Sequence, residues 1–198
     1  MDAFINRKNI RSSDPVRKSG RKNQGEKMSR IAVIITDMFQ DVEYQQPADA
    51  FQKAGHKLVH VGVRSGSQVK GEHGAVVRID RAVHDVSADD FDALFIPGGY
   101  SPDKLRINAD AVRFAKEFFT QDKPVFAICH GAQLLITAQV LNGRRLTGWM
   151  SIIQDIRNAG AEYIDAEVVV DKNLVSSRKP DDLPAFIREA LSMLAKKG

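Results

Sequence analysis

Cysteine is almost missing from this chain: it occurs once in 198 residues, at position 129. No internal disulfide can form, and a reducing cytoplasm is the compartment such usage suits. No apolar run approaches the ~20 residues of a membrane span. An excess of one charge is also missing from most of the chain. Residues 1–27 hold eight basic against three acidic residues, a balance of +5, and the remainder sums to −1. The basic character therefore belongs to the tail, and the core from residue 28 onward carries no specific nucleic-acid site. The tail has no continuous apolar stretch and reads as a disordered basic segment rather than a signal peptide. Met28, just before the first strand, is read as a natural start, with the tail an extension and not an RNA-binding arm or transit peptide.

Histidine is scarce as well, and its placement excludes mechanisms. The five are His56, His60, His73, His84 and His130. None follows the Cys129-His130 pair, so a papain-like or glutamine-amidotransferase order, with histidine well after the nucleophile, is not available. His56 and His60 lack a Cys or carboxylate nearby to complete a metal set, and no metal is expected.

What is present alternates between strand and helix patterns. Strands are predicted at 31–35, 57–63, 93–96 and 125–129, with a small hairpin between Gly66 and Asp80. Helices are predicted at 42–54, stopped by Gly55, from an Asn108 cap to about 121, and from 132 to 141, stopped at Asn142-Gly143. A short strand at 145–147, a helix at 151–159, a strand pair at 167–170 and 174–177, and a helix from 181 to 196 complete the chain. This is one α/β domain over 28–198, with a doubly wound parallel sheet sandwiched by helices. Ligands of such sheets bind at the carboxyl ends of the strands. The loops at 37–43, 98–103 and 129–130 are the expected walls of one pocket.

The centre is Val125-Phe-Ala-Ile-Cys-His-Gly131, a buried strand that breaks into a helix at its only thiol. A lone cysteine is ordinarily a small buried hydrophobe. Here it ends a strand, precedes a histidine and is followed by glycine, the arrangement of a nucleophile elbow with Cys in place of Ser. Lowering a thiol from ~8.5 to about 5.5 takes ~4 kcal/mol. A helix N-terminus supplies ~1–2 kcal/mol of that, so a charge-assisted hydrogen bond must supply the rest. His130 is one candidate donor, although adjacent side chains normally diverge. Glu43 is the other, provided it is protonated; otherwise it is a solvated acid in a first helical turn. Gly98 and Gly99, with the N–H of His130, are a candidate oxyanion site. Asp103 either orients His130 or caps a helix with Pro102, and Trp149 either lines the mouth or simply packs.

Phe39-Gln-Asp-Val-Glu43 with Pro47, Phe91 to Gly99, Ala127-Ile-Cys-His-Gly131 and Val175-Ser-Ser-Arg178 together resemble the ThiJ/PfpI family, closest to its intracellular-protease and general-stress deglycase branch. The resemblance covers residues 28 to 198. It implies a flavodoxin-like sandwich of the class I glutamine amidotransferase-like kind, and a cysteine hydrolase that needs no cofactor. Cys129 takes the nucleophile position, His130 the adjacent histidine and Glu43 the buried carboxyl. Asp103 matches an acidic residue supplied by a neighbouring subunit, which implies a homodimer or larger homo-oligomer. Gln40, where a second Glu is common, and Ala132, where Pro often stands, depart from the pattern. The implied substrates are small reactive carbonyls, or the proteins and nucleotides they glycate. Methylglyoxal and glyoxal defence under stress is the expected role, with peptidase or amidase action and a non-catalytic redox sensor or chaperone as the alternatives.

Overall fold

The computed structural model describes residue 1 and residues 28–197. The expected disordered tail therefore lies, but for its first residue, outside the described residues. In chain order the elements are β1 (Arg30–Ile34), α1 (Asp41–Lys53), β2 (Lys57–Gly62), β3 (Gln68–Lys70), β4 (Val76–Arg78), β5 (Arg81–Ala82), β6 (Ala93–Ile96) and α2 (Ser101–Leu105). Then follow α3 (Ala109–Thr120), β7 (Val125–Ile128), α4 (Ala132–Thr137), β8 (Arg145–Leu146), α5 (Ile153–Asn158), β9 (Glu162–Tyr163), β10 (Val168–Asp171), β11 (Leu174–Ser177) and α6 (Leu183–Lys197).

The main sheet runs β10-β11-β7-β6-β1-β2-β5. Its pairs are parallel except β10–β11 at one edge. Strands buried on both faces must feed two cores, and these do. Ile31, Val33, Phe95, Phe126 and Ile128 point to the layer that holds Phe51 of α1 and Phe186 of α6. Ala32, Ile34, Leu94, Ile96 and Val125 point the other way, onto Phe114 and Phe118 of α3 and Leu134 and Leu135 of α4. Each Val, Leu, Ile or Phe side chain fully removed from water contributes ~1.5–3 kcal/mol before entropy is counted. The chain winds from β1 outward to β2 on one side and crosses to β6 on the other, so the switch point lies between β1 and β6. A crevice opens there at the carboxyl ends of the strands.

Most predicted boundaries hold within a residue or two, and the hairpin is β3–β4. The helix after the elbow differs. It ends at Thr137 instead of 141, because Gln139 takes φ 57. The Gln139 and Val140 N–H groups then donate to Ile136 O and Leu135 O, at 3.0 and 3.4 Å. That is a Schellman closure with Gln where Gly is usual. Leu141 is still fully buried, reached through the loop. Its apolar spacing reflects burial and not continued helix. The short α2, which carries Asp103, was not anticipated.

Candidate active site

Cys129 follows directly on β7 and takes φ 60, the left-handed region that a side chain with a Cβ enters at a cost of about 1–2 kcal/mol. The chain then makes a single 3-10 turn, Cys129–Gly131, into α4. Gly131 is required by close approach, since a Cβ there would lie 2.9 Å from the Ile96 carbonyl oxygen. The bend holds the sulfur at the floor of a pocket of ≈ 500 Å³, with the residue 8% exposed. The same bend overcomes the divergence expected of neighbouring side chains: His130 Nδ1 lies 3.4 Å from the sulfur.

Glu43 reaches the sulfur from α1. It is 1% exposed, so the alternative of a solvated first-turn acid is excluded. The Gly98 N–H is directed at its carboxyl, while the N–H groups of Gly99 and His130 are directed at the sulfur. The two glycines expected to act together are thus divided between the carboxyl and the thiol. Neither Glu43 oxygen meets a donor with full hydrogen-bond geometry. Gly98 is wedged between the two groups: a Cβ there would overlap Glu43 Oε2 and stand 2.6 Å from the Cys129 Cβ. Gly98→Ala is therefore expected to destabilise the fold by ~1–3 kcal/mol, as overpacking against the buried Glu43 carboxyl and the Cys129 Cβ does, and a thermal melt reads it.

His130 Nε2 lies 3.2 Å from Ser151 Oγ. The tautomer that donates from Nδ1 to the sulfur leaves Nε2 to accept the Ser151 hydroxyl proton. Within the chain Asp103 does not take this place. It lines the same pocket and pairs with Arg106 at 3.7 Å. Ser151→Ala should lower turnover several-fold with little change in melting temperature, because it frees the imidazole without touching the core. An Asp103→Ala variant of full activity would remove any cross-subunit role for that carboxylate. Trp149 does line the mouth, its ring centre 6.5 Å from that of His130, and its backbone N–H donates to the Cys129 carbonyl at 3.1 Å.

Burial dominates the electrostatics. It raises the Glu43 carboxyl from 4.5 to about 7, opposed by the Cys129 side chain and by Gly98 and assisted by Glu72. Burial also pushes the Cys129 thiol up, and an ionised Glu43 adds to that, while the Gly99 and His130 amides pull it down. The expectation of a thiol lowered by a helix end together with a charge-assisted hydrogen bond needs correction, because burial and the Glu43 charge outweigh the pull of the Gly99 and His130 amides. Burial lowers His130, partly offset by Glu72 and Asp103, which keeps it neutral and able to move a proton near pH 7.

The family model of DJ-1/PfpI proteins matches residues 29–193. The chain belongs to the DJ-1/PfpI family. It is 55% identical over 167 residues to protein/nucleic acid deglycase 2 of Escherichia coli, covering 83% of this chain and 97% of that one. It is 54% identical over 169 residues to general stress protein 18 of Bacillus subtilis, covering 84% and 98%. Among solved structures, a two-domain protein of Anabaena variabilis with DJ-1/ThiJ/PfpI-like and ferritin-like domains superposes with a TM-score of 0.82 at 40% identity. That match covers 85% of this chain and 48% of the other, so the chain spans about half of that two-domain protein. DJ-1 of Schizosaccharomyces pombe superposes at 0.74 with 25% identity, covering 82% and 90%. The sheet flanked by helices is accordingly the flavodoxin-like fold of DJ-1/PfpI proteins.

Two departures from the family pattern have visible consequences. Gln40 caps α1, accepting from Val42 N at 3.2 Å, and its amide nitrogen lies 3.4 Å from Glu72 Oε2. Ala132 starts α4 with φ −63 and is buried, so proline is not needed there. Sequence reasoning missed two residues, Ser151 and Glu72. Ser151 stands in no motif. Glu72 comes from the β3–β4 turn, whose approach to the site depends on Asp41 accepting from His73 N and Ala75 N at 2.9 and 2.7 Å. No helix among the described residues is long and apolar enough to cross a membrane.

Proposed function

We propose that this protein is a cofactor-independent cysteine hydrolase acting on methylglyoxal, glyoxal and their adducts on proteins or nucleotides. One observation carries the reading: a strained elbow presents a single sulfur to a small pocket, with a buried carboxyl of pKa about 7 beside it. The names of two relatives, a deglycase and a general stress protein, support the direction. Cys129 adds to the aldehyde carbon to give a hemithioacetal, its oxyanion facing the Gly99 and His130 amides. Glu43 or His130 moves a proton from that carbon to its oxidised neighbour, leaving a thioester of a 2-hydroxy acid. Water then releases the acid and restores the thiol. The sum is dicarbonyl plus water to hydroxy acid, with no electron acceptor needed. A pocket of ≈ 500 Å³ suits such substrates better than an extended peptide, which is why the peptidase reading stands second.

The test is lactate formed from methylglyoxal by the purified protein, measured against fluorogenic peptide-amide cleavage and suppression of client aggregation. Lactate formation supports the hydrolase. Aggregation suppression without either turnover would replace it with the chaperone reading. A dimer or larger homo-oligomer, with Asp103 supporting the histidine of a second copy, is part of the same proposal.

A further inference from the structure

The lining of the pocket is one-sided in charge. Its carboxyl-bearing residues are Glu43, Glu72 and Asp103, and no lysine or arginine lines it. The Asp103 charge is shared with Arg106. Glu72 has no ion pair among the described residues; its side chain meets only the neutral amide of Gln40. Its position is built, because its N–H donates to the Phe39 carbonyl at 2.9 Å and the hairpin is clamped on Asp41. A second observation points to the ligand. Four buried side-chain oxygens among the described residues lack a full hydrogen bond, both of Glu43, Oε1 of Gln133 and Oγ1 of Thr147, and the first three belong to residues lining this pocket. Orphan acceptors in a pocket call for a ligand that brings donors.

We propose that Glu72 is a specificity-determining residue that makes this pocket a charge filter, favouring electrophiles carried on cationic, hydrogen-bond-donating groups and turning away anionic carbonyl compounds. The hydroxy acid released at the end of the reaction is an anion, so the same field assists its departure. The inference rests on Cys129 as the nucleophile. Glu72 is exposed and its field is screened by salt, so an effect of about fivefold is expected at low ionic strength, fading by ~0.5 M salt.

The test uses reagents of one chemistry and three charges: 2-(trimethylammonio)ethyl, methyl and 2-sulfonatoethyl methanethiosulfonate. In each the Cys129 thiolate attacks the sulfenyl sulfur, a disulfide forms and methanesulfinate leaves. Second-order rates for the intact protein are divided by those of 2-mercaptoethanol. The cation-to-anion ratio should exceed one, fall about fivefold in Glu72→Gln and in high salt, and return in Glu72→Asp. A ratio unchanged by Glu72→Gln overturns the filter, as does a sulfur that no reagent reaches. A purely structural role for Glu72 would alter all three rates together and also overturns it. A parallel arm follows lactate release from the methylglyoxal hemithioacetals of thiocholine, 2-mercaptoethanol and 3-mercaptopropionate. Charge-blind turnover that depends on Cys129 sinks the filter alone. Charge-selective labelling without any turnover sinks the hydrolase reading alone.

Discussion

Cys129→Ser is expected to lower lactate formation from methylglyoxal by at least about a thousandfold while the protein stays folded. The substitution keeps shape and φ demand almost unchanged, so it isolates the chemistry of one atom. A serine hydroxyl in the same bend must lose its proton to a neutral His130 during attack. A thiol can lose it beforehand to a neighbour. The variant retaining more than a tenth of wild-type turnover would show that the carbonyl is attacked by something other than this sulfur. A melt run beside the assay, shifted by no more than a few degrees, shows that loss of turnover is not loss of fold.

Glu43→Gln gives the second large effect, and it is read in stability as a function of pH. The Glu43 carboxyl rises from 4.5 in the open chain to about 7 in the folded protein, chiefly through burial. A raised folded pKa means that the native state holds the proton more tightly. Its contribution is complete below about pH 4.5 and is lost as pH climbs through about 7. At about 1.4 kcal/mol per tenfold change, that span corresponds to ~3 kcal/mol. Gln carries no charge to desolvate. Glu43→Gln should therefore melt roughly 5–10 °C above wild type at pH 8, and the gap should close towards pH 5. A gap that does not change between those pH values would mean that Glu43 does not titrate there.

The same substitution bears on the resting thiol. Burial and the charge on an ionised Glu43 both push the thiol up, so wild-type alkylation by iodoacetamide should climb only at alkaline pH. Glu43→Gln removes that charge, and the alkylation midpoint should move down. A midpoint that moves up instead would show that Glu43 acts as a donor to the thiolate.

Much of the site was legible along the chain because three strands, β1, β6 and β7, each end in a marked loop. Cys129-His130, Gly98-Gly99 and Glu43 sit at those ends, and a parallel sheet brings such ends together. The elbow could be placed because an apolar run that stops at Cys-His-Gly has few other ways to continue. The division of labour between Gly98 and Gly99 could not be read, because two adjacent amides point in different directions only once their dihedral angles are set. Gly99 has φ 77. Contact between Cys129 and His130 was equally hidden, since it follows from the positive φ of Cys129 and not from adjacency. Ser151 and Glu72 arrive from elements 21 and 57 residues away from His130 and Cys129, and no spacing rule connects them.

Alternating apolar runs, their glycine and asparagine stops and the one sulfur between a strand and a helix determined the layered sheet and the place of the reactive group, because periodicity and turn chemistry are local properties of the chain. Tertiary structure alone decided the protonation partner. Whether Glu43 is a surface acid or a buried proton store depends on how much water α1 leaves beside β6 and β7, and the desolvation of a carboxyl is a property of its surroundings and not of its neighbours in sequence.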